Sequence, residues 1–296
     1  MIDISAFINY LEYEKRYSEH TIAAYKKDIN QFLEYTSDNY RLGNDHEINE
    51  QIIRSWLAQL IDDGLNPKSV NRKISSIKSY FRFLIRSGKL SKNPTLQIQG
   101  PKQNKRLPVF IEESKMDLLL NFNVEAEDFE TCRDILIMEL FYTTGMRRAE
   151  LIGLKTSDVN WDQNIIKVLG KRNKERLLPV SEEVKNRIRS YIIYRDEEVE
   201  NASAQEFLFI TKKAKKLYPK FVYRIVNSYL SKVSTQDKRS PHVLRHTFAT
   251  HMLNNGADLN AVKELLGHAS LAATQIYTHN TIEKLKEVYK QAHPKA

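Results

Sequence analysis

The chain has 296 residues, 41% hydrophobic and 28% charged, enough for one large domain or two ordinary ones with real cores, and this excludes a disordered tail or a collagen-like fibre. Its 46 lysines and arginines against 37 acids leave a formal charge of +9, the balance expected when the partner is a polyanion, nucleic acid ahead of an anionic membrane surface. No apolar run approaches the roughly 20 residues that cross a bilayer, the N-terminus MIDISAF lacks the layout of a signal peptide, and the one cysteine, Cys132, can form no internal disulfide; the expectation is a cytosolic protein in which Cys132 serves helix packing.

The chain opens with three helical patterns: Ile4, Phe7, Ile8 and Leu11; then Ile22, Tyr25, Ile29, Phe32 and Leu33; then Ile48, Ile52, Trp56, Leu60 and Ile61. A fourth follows in Val70, Ile74, Ile77, Phe81, Leu84 and Ile85, with Ser18 and Asn49 as start signals and Gly64 and Gly88 as stops. Charge is uneven along this region. Residues 1–63 hold 6 basic and 12 acidic groups, whereas residues 64–111 hold 11 basic groups and no acid. Lys68, Arg72, Lys78, Arg82 and Arg86 fall largely off the apolar stripe of the fourth helix, which suits a phosphate-contacting face; a merely solvated face is the plainer alternative.

Pro94, Gly100, Pro101 and Pro108 crowd a stretch with almost no apolar periodicity, which predicts a linker over 93–108 between a helical domain, 1–92, and a second domain, 109–296. Beyond it the chain is mainly helical. The exception is Ile165, Ile166, Val168 and Leu169, then GKRNKE, then Arg176 to Val180, a β-hairpin with a basic tip. Helical patterns resume from Ser181 and Tyr218, and shorter helices follow Pro241, punctuated by Gly256 and Gly267.

Six of the eight histidines lie after residue 240, so a metal site has to be weighed. His242 and His246 stand four apart, but the segment HVLRH has Val243 where a zinc hydrolase would carry a glutamate beside the first histidine; it offers Arg245 instead, and a guanidinium among the ligands repels a cation. No metal is expected, and packing or capping accounts for His246 and His251. An anion site fits better, because Arg245 follows His242 by three residues and both can face one side of a helix. Upstream, TTGMRRAEL puts Gly145 at a helix end and Arg147 and Arg148 at the next helix start, with Glu150 in reach of a guanidinium. Downstream, LLGHASLAATQIYTH contains His268 and Tyr277.

The ordered set TGMR, GKRNKER, HVLRH, LLGH and TQIYTH resembles the tyrosine recombinase, or lambda integrase, family, and within it the Xer-type recombinases. The resemblance covers nearly the whole chain: SEHTIAAYKKDINQFLEY and SVNRKISSIKSYFRFL look like the SAM-like core-binding domain, and SPHVLRHTFATHMLNNGADLNAVKELLGHASLAATQIYTH like the catalytic domain. It implies a mainly α fold with a small β-hairpin, a four-helix core-binding domain and a catalytic domain that clamp duplex DNA, and a final helix that docks on a neighbouring protomer. The alternative for that last helix is that it covers its own domain.

The resemblance also assigns roles: Arg147 and Arg245 to grip the scissile phosphate, Tyr277 as nucleophile, Lys171 as the hairpin lysine, His242 and His268 as the remaining members, and Glu150 as a structural acid. Here Arg172 stands where the family usually has glycine after that lysine, which leaves Lys174 as an alternative. Elementary chemistry suits these residue types. A phenol with a pKa near 10 is ionised in only about one molecule in a thousand at neutral pH, so a neighbouring base and cations are needed to activate it. Two guanidinium forks match the non-bridging oxygens of a five-coordinate phosphorus, and a lysine can protonate the departing 5′-oxygen. The implied reaction is metal- and ATP-independent cutting and rejoining of DNA through a 3′-phosphotyrosyl link. It would be carried out by a homo- or heterotetramer on two sites, with a DNA translocase as possible activator, in the resolution of chromosome dimers. The alternatives are a mobile-element integrase, a type IB topoisomerase and a DNA-binding relative that does not cut.

Overall fold

The computed structural model describes residues 4–102, 109–121, 128–170, 174–234, 238–267 and 279–296. The chain divides into two compact units, Met1–Arg106 and Leu107–Ala296.

The first unit is built from α1 (Ser5–Asn9), which runs into a π-helical turn at Tyr10–Glu14, then α2 (Glu19–Tyr40), α3 (Glu50–Asp62) and α4 (Pro67–Arg86). Its core is strongly aromatic: Phe7 meets Tyr80 edge-on at 5.3 Å between centroids, and Phe32 tilts against Trp56 at 5.0 Å. The start of α3 is capped by the Asn49 side chain, which accepts from the Ile52 amide at 3.1 Å. Asn66 does the same for α4, accepting from Ser69, with Pro67 in the first turn. Gly64 and Gly88 adopt left-handed backbone after α3 and α4, as expected of helix stops. The apolar stripe of α3 consists of Ile52, Ile53, Trp56, Leu57 and Leu60; Ile61 rotates off it and is exposed.

The stretch expected to be a linker begins as part of this unit. Ile98 joins its core and Thr95 is buried. Asn71 donates to the Pro101 carbonyl at 2.9 Å, and Arg54 to that of Gln97 at 3.3 Å. A Cβ at position 100 would lie 1.8 Å from the Asn71 side-chain oxygen, so any larger residue there has to displace the side chain that holds Pro101. A single apolar anchor among prolines carries no periodicity, so the sequence pattern could not register this packing.

The second unit contains α5 (Glu113–Asn121), α6 (Phe129–Thr144), α7 (Arg148–Gly153), β1 (Val159–Asn160), β2 (Ile165–Leu169), β3 (Glu175–Pro179), α8 (Glu182–Glu198), α9 (Pro219–Val233), α10 (Pro241–Asn254), α11 (Leu259–Leu266) and α12 (His279–Ala292). Every residue from Ile135 to Thr144 is buried, which makes α6 the central helix, with α8 and α10 packed on it. The hairpin pairs Ile165 with Pro179 and Leu169 with Glu175, so its second strand starts one residue earlier than the sequence pattern places it. Two-residue β1 adds a third antiparallel strand, too short to leave a pattern. Cys132 is partly buried against the core, and burial pushes its thiol pKa up, consistent with a packing role.

Within the chain α12 packs on its own unit, against α10, α11 and β3, and buries Leu285, Tyr289 and Ala292. His293 locks its end. The His293 Nε2–H donates to the Tyr142 carbonyl at 3.1 Å, Nδ1 accepts from the Lys295 amide at 3.0 Å, and the ring stacks on Tyr289 and Phe248. Both nitrogens are thus satisfied only when the imidazole is neutral, and burial pushes its pKa down to about 3. The unfolded chain therefore binds a proton that the native state refuses between about pH 6.5 and 3, and the stability His293 contributes falls as pH drops through that window. Glu139 acts in the opposite sense: burial raises its carboxyl to about 7, so its cost is relieved on acidification below neutrality. Urea titrations of His293→Gln and wild type should therefore differ in slope by up to about 1.4 kcal/mol per pH unit between pH 4 and 6, with the variant losing less stability in acid. Parallel curves would contradict this.

Candidate active site

The site starts at the end of α6. Gly145 takes left-handed backbone (φ +59°), and a Cβ there would stand 2.5 Å from the Phe248 ring and 2.9 Å from Leu266, so only glycine lets the chain turn this tightly against α10 and α11. The turn delivers Arg147 to the start of α7. There the Glu150 carboxylate accepts from the Arg147 amide at 2.6 Å and from its guanidinium Nη1 at 2.7 Å. Burial on its own would raise the Glu150 carboxyl, but the hydrogen bonds and charge of Arg176, reinforced by Arg147, pull it down to about 2.

Arg245 reaches in from α10. Its Nη1 donates to the Gly145 carbonyl and its Nη2 to the Leu266 carbonyl, both at 2.6 Å. Arg147 Nη2 donates to the Gly267 carbonyl at 2.9 Å. The third arginine is Arg176 on β3, whose Nε donates to the Leu265 carbonyl at 2.8 Å while Nη1 and Nη2 fork onto Glu150 at 2.7 and 2.8 Å. The last carbonyls of α11, those of Leu265, Leu266 and Gly267, thus each hold a different arginine, an arrangement the negative end of a helix favours. Gly267 caps α11 in left-handed backbone, and a Cβ there would crowd Arg176 at 3.1–3.3 Å.

Three cations against one carboxylate give this cluster an excess of positive charge that suits an anion. Burial, then Arg147 and Arg176, lower the Arg245 pKa to about 10, which still leaves it charged at neutral pH. The pKa of His242, one turn before Arg245, is lowered by desolvation and by the guanidiniums of Arg148 and Arg245, which favours the neutral imidazole that can accept a proton.

Of the six residues given catalytic roles from sequence, Arg147 and Arg245 come together at the end of α11, and His242 lies within electrostatic reach of Arg245. Lys171, His268 and Tyr277 lie outside the described residues. The described chain adjoining two of them borders the cluster: Gly170 closes the hairpin by donating to the Lys174 carbonyl at 2.8 Å beside Glu150, and Gly267 is the Arg147 acceptor. His251 is a core residue, its Nδ1 3.0 Å from the Tyr142 hydroxyl.

On α4 of the first unit, Lys68 and Arg82 are exposed and Lys78 is half-buried; among the described residues none of these three has an acidic partner. Arg72 and Arg86 are partly committed within the unit, Arg72 to the buried Asp28 and Arg86 to Glu14 at 2.9 Å and over the Tyr10 ring. Arg72 shares a cleft of about 300 Å³ between α2 and α4 with His20, Thr21 and Ser75, three polar residues that the charge pattern did not single out. Arg176 was also missed as a site residue. So was a second acid-free run, residues 207–236, with seven lysines and arginines; the imbalance that marked 64–111 would have found it.

A helical unit and, in the same chain, a mainly α unit that clusters arginines suit a protein that handles the phosphates of nucleic acid. Comparison with known proteins gives the family. Residues 4–88 match the N-terminal SAM-like domain of phage integrases, and residues 110–284 match the phage integrase family. The chain is 35% identical to tyrosine recombinase XerC of Chlorobaculum parvum over 99% of its length and 94% of that protein's. It is 36% identical to tyrosine recombinase XerD of Staphylococcus epidermidis over 99% of both chains. Its fold matches that of XerH site-specific recombinase bound to a palindromic difH substrate (TM-score 0.70, 21% identity, 93% of this chain and 77% of that one). It also matches the Tn1549 transposon integrase bound to transposon right-end DNA (TM-score 0.70, 18% identity, 94% and 96%). The chain belongs to the phage integrase family of tyrosine recombinases and is a site-specific enzyme that cuts and rejoins DNA.

Proposed function

We propose that Tyr277 is the nucleophile and that Arg147 and Arg245 hold the scissile phosphate. The observation that carries this reading is the convergence of these two guanidiniums, from α7 and α10, on the closing turn of α11. In the cutting step the Tyr277 phenol oxygen attacks phosphorus and its proton passes to neutral His242. The P–O5′ bond breaks, and the 5′-oxygen leaves as a hydroxyl protonated by Lys171, with Lys174 as the alternative donor. The two forks and His268 stabilise the charge on the non-bridging oxygens. The phosphotyrosyl bond keeps the energy of the phosphodiester, so a second 5′-hydroxyl can attack it and rejoin the strands in the reverse sequence.

The biological role we assign is resolution of chromosome dimers in the cytoplasm, on the nucleoid. The setting is a tetramer on two sites, either of four copies or shared with a related recombinase, with a DNA translocase as activator and with α12, which packs on its own unit in the single chain, exchanged to the contact between protomers. Likeness to both XerC and XerD proteins supports this role without choosing between them. Sequencing DNA covalently attached to the protein in cells yields the target site. A nicked duplex carrying that site should then trap wild type covalently and leave Tyr277→Phe free; equal trapping of the variant would overturn the assignment.

The α4 face is the proposed binding surface for the DNA backbone. Removing Lys68, Lys78 and Arg82 together should weaken binding to all duplexes alike and reduce the slope of log K against log salt by about 0.9 for each phosphate no longer neutralised. An unchanged slope would show that this face is only solvated.

A further inference from the structure

Arg176 does more than join a hairpin to the core. It is almost wholly buried, yet it carries a full charge and spends all three of its nitrogens on two acceptors, Glu150 and the Leu265 carbonyl. Glu150 is also the carboxylate that holds Arg147 by both its amide and its guanidinium. With Arg147 as its sole partner, Glu150 would form a closed ion pair of zero net charge, and a guanidinium so neutralised is a poor ligand for phosphate. Sharing the carboxylate with a second, buried cation returns a net positive charge to the Arg147 end of the site.

We infer that Arg176 is a positioning residue for strand cleavage: it divides the Glu150 carboxylate with Arg147, so that Glu150 can fix the geometry of Arg147 without cancelling its charge toward the scissile phosphate. This rests on the proposed role of Arg147. The packing agrees with it. Gly267, by lacking a Cβ, leaves room for the Arg176 side chain against the α11 end, and Gly170 brings the base of the hairpin beside Glu150. Arg176 itself touches no substrate in this arrangement; its field and its hold on Glu150 act through Arg147.

The test is single-turnover cleavage of the nicked duplex by the full chain at saturating DNA. Arg176→Met should bind DNA as wild type does and cleave roughly 10- to 100-fold more slowly, the range for groups that orient a functional side chain. Adding Glu150→Gln to Arg176→Met removes the carboxylate that now neutralises Arg147 and should restore most of the lost rate. A merely structural arginine would make the double variant no faster than the single one, and that result overturns the inference.

A second readout uses a scissile methylphosphonate, in which a methyl replaces one non-bridging oxygen and the phosphate charge is gone. The Arg176→Met defect should shrink on this neutral substrate, and an equal defect on both substrates overturns the idea. Should Arg176→Met fail to fold, Arg176→Lys replaces it; with the charge kept, its loss should stay below roughly 10-fold, and a larger one contradicts the mechanism. Trapping of Tyr277→Phe would instead overturn the proposed chemistry itself, so the two failures are distinct.

Discussion

Arg245→Ala is expected to lower single-turnover cleavage by at least about 10²–10³-fold, the loss seen when one donor to a developing oxyanion is removed. DNA binding should change much less, because duplex affinity is spread over many phosphate contacts elsewhere. Arg245 is half-buried, and its two nitrogens tie the Gly145 turn to the last turn of α11. That double attachment fixes the plane of the guanidinium before DNA arrives, so the electrostatic stabilisation requires little reorganisation during the reaction. Arg245→Lys keeps the charge but has no fork with which to span two carbonyls and a phosphate, and most of the loss should persist. A lysine variant that cleaves at the wild-type rate would show that charge alone suffices.

The second large effect concerns stability. Glu150→Ala leaves Arg176 buried without its carboxylate and frees Arg147 from the start of α7, which should cost about 3–5 kcal/mol, the usual result of removing one partner from a buried ion pair. The pH dependence follows from the same contacts. The Glu150 carboxyl sits at about 2 in the native state, below its unfolded value, so its stabilisation is complete above the normal carboxylate range and is lost as pH falls toward 2. Urea unfolding at neutral pH measures the first effect. The stability difference between wild type and Glu150→Ala should then narrow on acidification; a gap that is small at neutral pH, or constant down to acid, would contradict the account.

Much of this architecture was legible in the chain because its signals are local. Asn49, Gly64, Gly88, Gly145 and Gly267 mark helix ends by side-chain chemistry or left-handed backbone, and the apolar stripes of the first four helices follow helical spacing. Arg147 and Arg245 stood out through the motifs around them, but no spacing rule says that they meet; that follows from how α7, α10 and α11 pack. Arg176 was hidden for a related reason. In the sequence it is one more basic residue beside a basic hairpin tip, and its burial makes sense only once Glu150 and the α11 carbonyls surround it. The segment from Asn93 to Lys102 misled in the other direction, since proline-rich composition concealed the anchor at Ile98. Strand β1, only two residues long, draws its stability from pairing with β2 and has no pattern of its own.

The most direct measurement is to digest the covalent complex formed on the nicked site and locate the nucleotide adduct by mass spectrometry. The account predicts a phosphodiester adduct on Tyr277, absent from Arg245→Ala incubated for the same short time. An adduct on any other side chain, or strand cleavage with no adduct at all, would contradict it.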